Sequence, residues 1–189
     1  MIQLFQEARN LQEELERRSL RFCFIGGLAL QHWGEPRVTR DLDVSVFTGF
    51  GGEAPIIDEL LSAYPGRVDG AREFALRHRV LLLSTSRGSG VDVDVALAGL
   101  PFEDDMIARA VLMEYEVDLA LRICTSEDLV VLKAFADRLQ DRADLVGIAQ
   151  RRGRQLDWDA IIERLEPLVE AKGEPAILAN VEALQREFS

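Results

Sequence analysis

The sequence predicts an α/β (α+β) front over residues 1–124 and an all-helical back over residues 125–189. Three observations carry that reading. Short apolar runs rich in β-formers alternate with amphipathic stretches up to Thr125, and only helical periodicity follows. Apolar residues make up 48% of the 189, enough for the core of one domain with a helical extension. No repeat or low-complexity tract interrupts the pattern.

Taken in order, Ile2, Phe5, Ala8, Leu11 and Leu15 recur at helical spacing, so an amphipathic helix opens the chain. RFCFI, 21–25, is a short strand ended by Gly26 and Gly27; LALQHW is a helix closed near Gly34 and Pro36. DLDVSVF, 41–47, alternates carboxylate and apolar residues as a strand. The glycine-rich loop TGFGGEAP precedes the helix IIDELLSAY. Residues 73–98 are expected to form a hairpin, with EFALRHRVLLLST and VDVDVALAG as its strands and RGSG as its turn. LPFEDDMIARA is a short helix, followed by the β segments VLMEYEV and LALRICT. Thr125 with Asp128 three residues on has the form of a capping box and opens the helix SEDLVVLKAFADRL. Helices over about 140–152, 157–171 and 174–187 complete the chain, with Gly153 and Gly173 as stops.

Composition excludes several classes. No apolar run approaches the roughly 20 residues that span a bilayer, and the charged N-terminal stretch has no secretory h-region. A cytoplasmic protein with no membrane association is expected. The two cysteines, Cys23 and Cys124, lie in β-like runs and read as reduced core residues. A formal net charge of -11 argues against indiscriminate binding along a nucleic-acid backbone. It leaves room for local basic grooves at Arg67, Arg72, Arg77 and Arg79, or at Arg151, Arg152 and Arg154.

The stretch GGLALQHWGEPRVTRDLDVSVF carries the chemistry. Residues i and i+2 of a strand share a face, roughly 6.5–7 Å apart, so Asp41 and Asp43 point the same way. Two neighbouring carboxylates at the start of an apolar strand repel and need compensation. A hard divalent cation suits such oxygen ligands. A second DxD, Asp92 and Asp94, lies on another predicted strand. If the two strands are neighbours, three carboxylates can meet around a pair of metals about 3.5–4 Å apart. Gly26 and Gly27 leave unobstructed amides at the start of a helix, a ready anion site. Each part alone has a plain structural explanation: Asp41 as a cap or a partner of Arg37 or Arg40, Asp43 as a solvated edge residue, the glycines as a tight turn. The combination points to metal and phosphate. His32 and His78 are too few and too separate for a metal site, and Ser84, Ser86 and Ser89 lack a nucleophile-elbow context. Trp33 and Trp158 fit helix interfaces better than base stacking.

The order of hydrophobic strand, GG, short helix, T-R-D-L-D and a later carboxylate strand resembles the DNA polymerase β-type nucleotidyltransferase superfamily. Within it, FIGGLALQHWGEPRVTRDLDV, DVDVALAGLPFE and TSEDLVVLKAFADRLQDRADL resemble the AbiEii/AbiGii-type toxin nucleotidyltransferases over roughly residues 20–160. The resemblance implies a nucleotidyltransferase fold, with a mixed β-sheet flanked by helices and a C-terminal helical region. It implies that Gly26 and Gly27 hold nucleotide phosphates, although glycine stands where many members have the serine of a GS pair. Asp41 and Asp43 would be the metal pair. Either Asp92 or Asp94 would be the third carboxylate, and Asp94 fits the family frame better. Lys133, one of only two lysines, heads the family's K-x-x-A-x-R-x-x-D-x-x-D arrangement with Arg138, Asp141 and Asp144. A lysine is a compact charge suited to a triphosphate. Asp141 and Asp144 would orient Lys133 or Arg138, or belong to a surface charge network.

The implied activity is Mg²⁺- or Mn²⁺-dependent transfer of NMP from an NTP to an acceptor hydroxyl, releasing pyrophosphate, with Arg40 or Lys133 neutralising the leaving group. The implied setting is a toxin of a toxin–antitoxin or phage-defence system, with tRNA as acceptor and a cognate antitoxin as partner. Alternatives are a non-catalytic regulatory or antitoxin subunit of the same fold, and an enzyme modifying a small molecule such as an aminoglycoside.

Overall fold

The computed structural model describes residues 2–86 and 90–189, with the side chain of Ile2 outside the described set. The chain forms two compact units. The first comprises residues 1–28 and 38–124, the second residues 29–37 and 125–189. The short segment 29–37 thus goes with the helical back, although it lies within the front of the sequence.

The first unit is built on a six-stranded sheet: β1 (Phe22–Phe24), β2 (Asp41–Phe47), β3 (Val80–Ser84), β4 (Asp92–Ala98), β5 (Val111–Glu116) and β6 (Leu119–Ile123). Their spatial order is β3-β4-β2-β1-β6-β5. The sheet is mixed: β2 runs parallel to β4 and β1 to β6, while β1–β2, β3–β4 and β5–β6 are antiparallel. Helix α1 (Ile2–Arg17) buries Leu4, Phe5, Ala8, Leu11 and Leu15. This is the face its periodicity predicts. Gln12 on α1 is also buried; its amide donates to Ala120 O (3.1 Å) and its oxygen accepts from Arg122 N–H (2.8 Å). Both halves of a buried amide are thereby satisfied, and the helix is keyed to β6. Cys23 and Cys124 are free and buried.

After α2 (Gly26–Trp33) and α3 (Glu53–Ala63), the structure departs from the expected long hairpin. Residues Ala71–His78 form a helix, α4, and the strand begins only at Val80. Phe74 and Leu76 alternate as in a strand, but the buried positions are Ala71 and Ala75, four apart, and Leu76 is exposed. Glu73 in the first turn and Arg77 and His78 in the last suit the helix dipole. The hairpin of β3 and β4 remains, shortened; Arg87, Gly88 and Ser89 of its expected turn lie outside the described residues. Helix α5 (Pro101–Arg109) completes the unit.

The second unit contains α6 (Ser126–Ala136), α7 (Leu139–Arg152), α8 (Trp158–Lys172) and α9 (Ala176–Phe188). Thr125 caps α6, accepting from Asp128 N–H at 3.2 Å. The helix expected to run on to Leu139 stops at Ala136, because Asp137 takes a left-handed conformation (φ 52) and closes the turn onto Lys133 O. Aspartate is among the few non-glycine residues that accept this conformation readily. Gly173 (φ 74) ends α8 as expected. Gly153 does not end α7 in a left-handed stop; the chain continues into a 3₁₀ turn, Gly153–Gln155. Its lack of a side chain serves a close approach, since a Cβ there would lie 2.5 Å from Phe188 O. Among the described residues, no helix is long and apolar enough to cross a membrane.

Candidate functional site

The site of the first unit follows from one register. In the parallel β2–β4 pair, Asp41 stands opposite Asp92 and Asp43 opposite Asp94. Neighbouring strands are about 4.8 Å apart and side chains alternate between faces, so all four carboxylates share one face. The intervening Leu42, Val44, Val93 and Val95 are buried on the other. That apolar layer fixes the register, because a slip of one residue would drive the aspartates into the core.

The glycine turn joins this face through β1. Ile25 N–H donates to Asp43 O (2.9 Å), which places the start of α2 against Asp43. Gly26 is left-handed (φ 57), and a Cβ on it would lie 2.0 Å from Asp43 Oδ2. Gly27 N–H donates to the same oxygen at 3.4 Å. A carboxylate at a helix N-terminus is the favourable end of the dipole. Arg40 is exposed beside Asp41, and Thr39 Oγ1 donates to Asp41 Oδ1 at 2.9 Å.

Electrostatics single out Asp94. Burial pushes its carboxyl above the usual range; Arg67 opposes this, and the charges of Asp41 and Asp92 raise it further. Arg67 donates to Asp92 Oδ2 (2.6 Å) and ion-pairs with Asp94. The sequence marks Arg67 only as one of four clustered arginines. It reaches the strand because its backbone N–H bonds Leu82 O (2.9 Å) and Gly66 bridges Leu83. Nothing in local spacing foretells that placement. Among the described residues, no three His, Cys, Asp or Glu side chains are gathered as a ready metal centre; part of the carboxylate charge is met by Arg67. The donor chemistry nonetheless fits a hard divalent cation, since four carboxylates share one face and only two of them pair with Arg67. Beside them opens a cleft of about 400 Å³, lined among others by Arg67, Ser84, Ser86 and Asp92.

The other candidates lie in the second unit. Lys133 is buried, with its ammonium 2.8 Å from Asp141 Oδ1 and 2.7 Å from Asp144 Oδ2. Arg138 adds a bond to Asp141 (2.6 Å), and Arg37 approaches Asp144 at 3.2 and 3.3 Å. Burial works to raise both carboxyls, but Arg138 and Lys133 hold Asp141, and Lys133, Arg37 and Gln140 hold Asp144, below the usual carboxylate range. Of the two readings open for Asp141 and Asp144, the structure shows them holding Lys133, inside a buried network rather than a surface one. Trp33 and Trp158 are buried, Trp158 donating to Gly153 O (2.9 Å) and Trp33 lying under Arg152 (4.7 Å). Arg151, Arg152 and Arg154 line a cleft of about 390 Å³ in this unit.

No protein-family model matches the sequence, and no curated protein matches it. Solved structures do. An antigenic nucleotidyltransferase-like protein from Paracoccidioides brasiliensis superposes with a TM-score of 0.54 at 14% identity, over 97% of this chain and 94% of that one. The antibiotic-resistance factor ANT(2'')-Ia matches at 17% identity, TM-score 0.45, over 98% and 90%. CdnC of E. coli MS115-1, solved in complex with HORMA-deltaN, matches at 22% identity, TM-score 0.35, and this chain covers 51% of its length. At the level of fold, the mixed sheet and its flanking helices are those of a nucleotidyltransferase-like protein.

Proposed function

We propose that the chain is a divalent-cation-dependent nucleotidyltransferase that transfers NMP from an NTP to an acceptor hydroxyl and releases pyrophosphate. The observation that carries this is the β2–β4 register, which sets Asp41 and Asp43 opposite Asp92 and Asp94 beside the Gly26–Gly27 turn. Asp41, Asp43 and Asp94 would hold Mg²⁺ or Mn²⁺, which when bound supplies charge for the α-phosphate and acidifies the acceptor hydroxyl.

The chain's own groups do the rest. The Gly27 amide fixes Asp43 in place. The turn carries no side chain of its own, with Asp43 and Thr39 packed against it, and the N-terminus of α2 would meet a phosphate there. Arg40, exposed beside Asp41, meets the charge of the departing pyrophosphate. Arg67 neutralises Asp92 and Asp94 until phosphate competes for its guanidinium. Asp94 is assigned as the third carboxylate because it stands opposite Asp43 and its side chain is less exposed than that of Asp92. Lys133, expected at the nucleotide, is assigned instead to anchoring the second unit, because two carboxylates already take up its ammonium.

The sequence blocks that resemble AbiEii/AbiGii-type enzymes support the finer reading: a cytoplasmic toxin with tRNA as acceptor and an antitoxin protein as partner. Incubation with each α-³²P-NTP, Mg²⁺ or Mn²⁺ and bulk tRNA tests it. Label on RNA with the parent, and none with Asp41→Ala/Asp43→Ala, is the expected result. Label transferred equally by both would overturn the assignment.

A further inference from the structure

We infer that the Thr39 hydroxyl makes the nucleotide-phosphate contact for which position 27, a glycine, has no side chain; the inference rests on the nucleotide-binding reading above. The two glycines of the turn are glycine for different reasons. Gly26 is left-handed, with Asp43 packed against the place where its Cβ would be. Gly27 is not among the left-handed glycines, so its backbone accepts any L-residue. What excludes a side chain there is Thr39. A Cβ on Gly27 would lie 2.4 Å from Thr39 Oγ1 and 2.8 Å from Thr39 Cβ.

A serine side chain at position 27 and a threonine at 39 are therefore mutually exclusive. The hydroxyl of Thr39 occupies the volume at the start of α2 that such a serine would fill. It reaches that place from the chain entering β2. It is held there by its bond to Asp41 Oδ1 (2.9 Å). A threonine hydroxyl has one rotating donor proton and two lone pairs, so it can turn from Asp41 to an anion lying between them. A phosphate oxygen at the turn would meet the N-terminal end of α2 and this hydroxyl together. A hydrogen bond to a charged group of this kind amounts to about tenfold or more in affinity.

The test is nucleotide binding, read by calorimetric titration of ATP, GTP, CTP and UTP in turn with Mg²⁺, beside the unliganded unfolding midpoint. Thr39→Val keeps the shape and removes the hydroxyl; it should weaken the bound nucleotide about tenfold or more while binding Mn²⁺ alone like the parent. Thr39→Ser should bind like the parent. The exchange variant Gly27→Ser/Thr39→Gly moves the hydroxyl to position 27 and should recover most of the loss. Parent-like nucleotide binding by Thr39→Val would overturn the inference. So would an equal loss of Mn²⁺ and nucleotide, which would make Thr39 only a support for Asp41, or an exchange variant that folds yet stays as weak as Thr39→Val. A parent that binds no nucleotide would overturn the nucleotide reading itself, and this inference with it.

Discussion

The carboxylates on β2 and β4 and those on α7 both stand close to basic side chains, yet their charges are handled in opposite ways. On α7, Asp141 and Asp144 are buried and share Lys133, with Arg138 and Arg37 completing the set; burial is outweighed, and both carboxyls are held below their usual range. On the sheet, four carboxylates share one face, Arg67 bonds to Asp92 and Asp94, and Asp94 is held above its usual range, first by burial. The first cluster is complete within the chain. The second sets its carboxylates side by side in register on one face of the sheet. A fold gains nothing from holding repelling carboxylates in register, so the second arrangement is the one expected of a binding site.

The sharpest way to break this contrast is to remove one charge from each cluster. Lys133→Met leaves two buried carboxylates without their shared cation and should cost about 3–5 kcal/mol of stability, whether or not nucleotide is present. Asp94→Asn removes a charge from the repelling set and should leave the unfolding midpoint unchanged or raised, while transfer activity is lost. Denaturant unfolding of both variants decides the matter. A Lys133→Met protein of parental stability that had lost only its nucleotide affinity would return Lys133 to the nucleotide and dissolve the distinction.

The pH dependence sharpens the same contrast with opposite signs. Because Asp141 and Asp144 are depressed in the fold, the stability they contribute is complete above the unfolded aspartate value, near ~3.9. It is lost as pH falls through their lower folded values. Asp94 is raised, so its native state is favoured while protonated. That advantage disappears as pH climbs from the unfolded value through the higher folded one. Stability of Asp94→Asn relative to the parent should therefore grow with pH across the carboxylate range, and Mg²⁺ should shrink the difference. Asp144→Asn should show the reverse trend, losing relative stability as pH rises into the range where the parent's carboxylate is ionised. Parallel pH profiles for the two variants would mean that the two clusters are not electrostatically distinct.

How much of this was legible in the sequence depends on the range of the interaction. The alternation in DLDVSVF placed Asp41 and Asp43 on one face, and VDVDV did the same for Asp92 and Asp94, because strand geometry is a property of adjacent residues. The cap at Thr125 and the left-handed stop at Gly173 are equally local. Helix α4 was not legible, since its buried residues are two alanines while Phe74 and Leu76 mimic a strand. Nor was Arg67, which lies 25 and 27 positions from its two partners and is delivered by the fold of β3. The paired burial of Lys133 was half visible: the spacing of Asp141 and Asp144 showed one helix face, but not that the lysine would be enclosed there. The left-handed Asp137, which breaks α6 from α7, lies in sequence between Lys133 and its two carboxylate partners.

The smallest expected effect concerns Arg67 itself. Its pairs with Asp92 and Asp94 involve side chains that are 26%, 49% and 37% exposed, and partly exposed pairs contribute roughly 0.2–1 kcal/mol. Arg67→Gln should therefore change stability by no more than about 1 kcal/mol. Its effect on cation binding should be easier to see. With the guanidinium gone, Asp94 loses the opposing charge of Arg67 while Asp41 and Asp92 continue to raise it, so a divalent cation held by these carboxylates would no longer compete with Arg67. A titration of Mn²⁺ against the unfolding midpoint should show the cation-induced rise at lower concentration in Arg67→Gln than in the parent. An unchanged titration curve would show that Arg67 does not compete for the carboxylates.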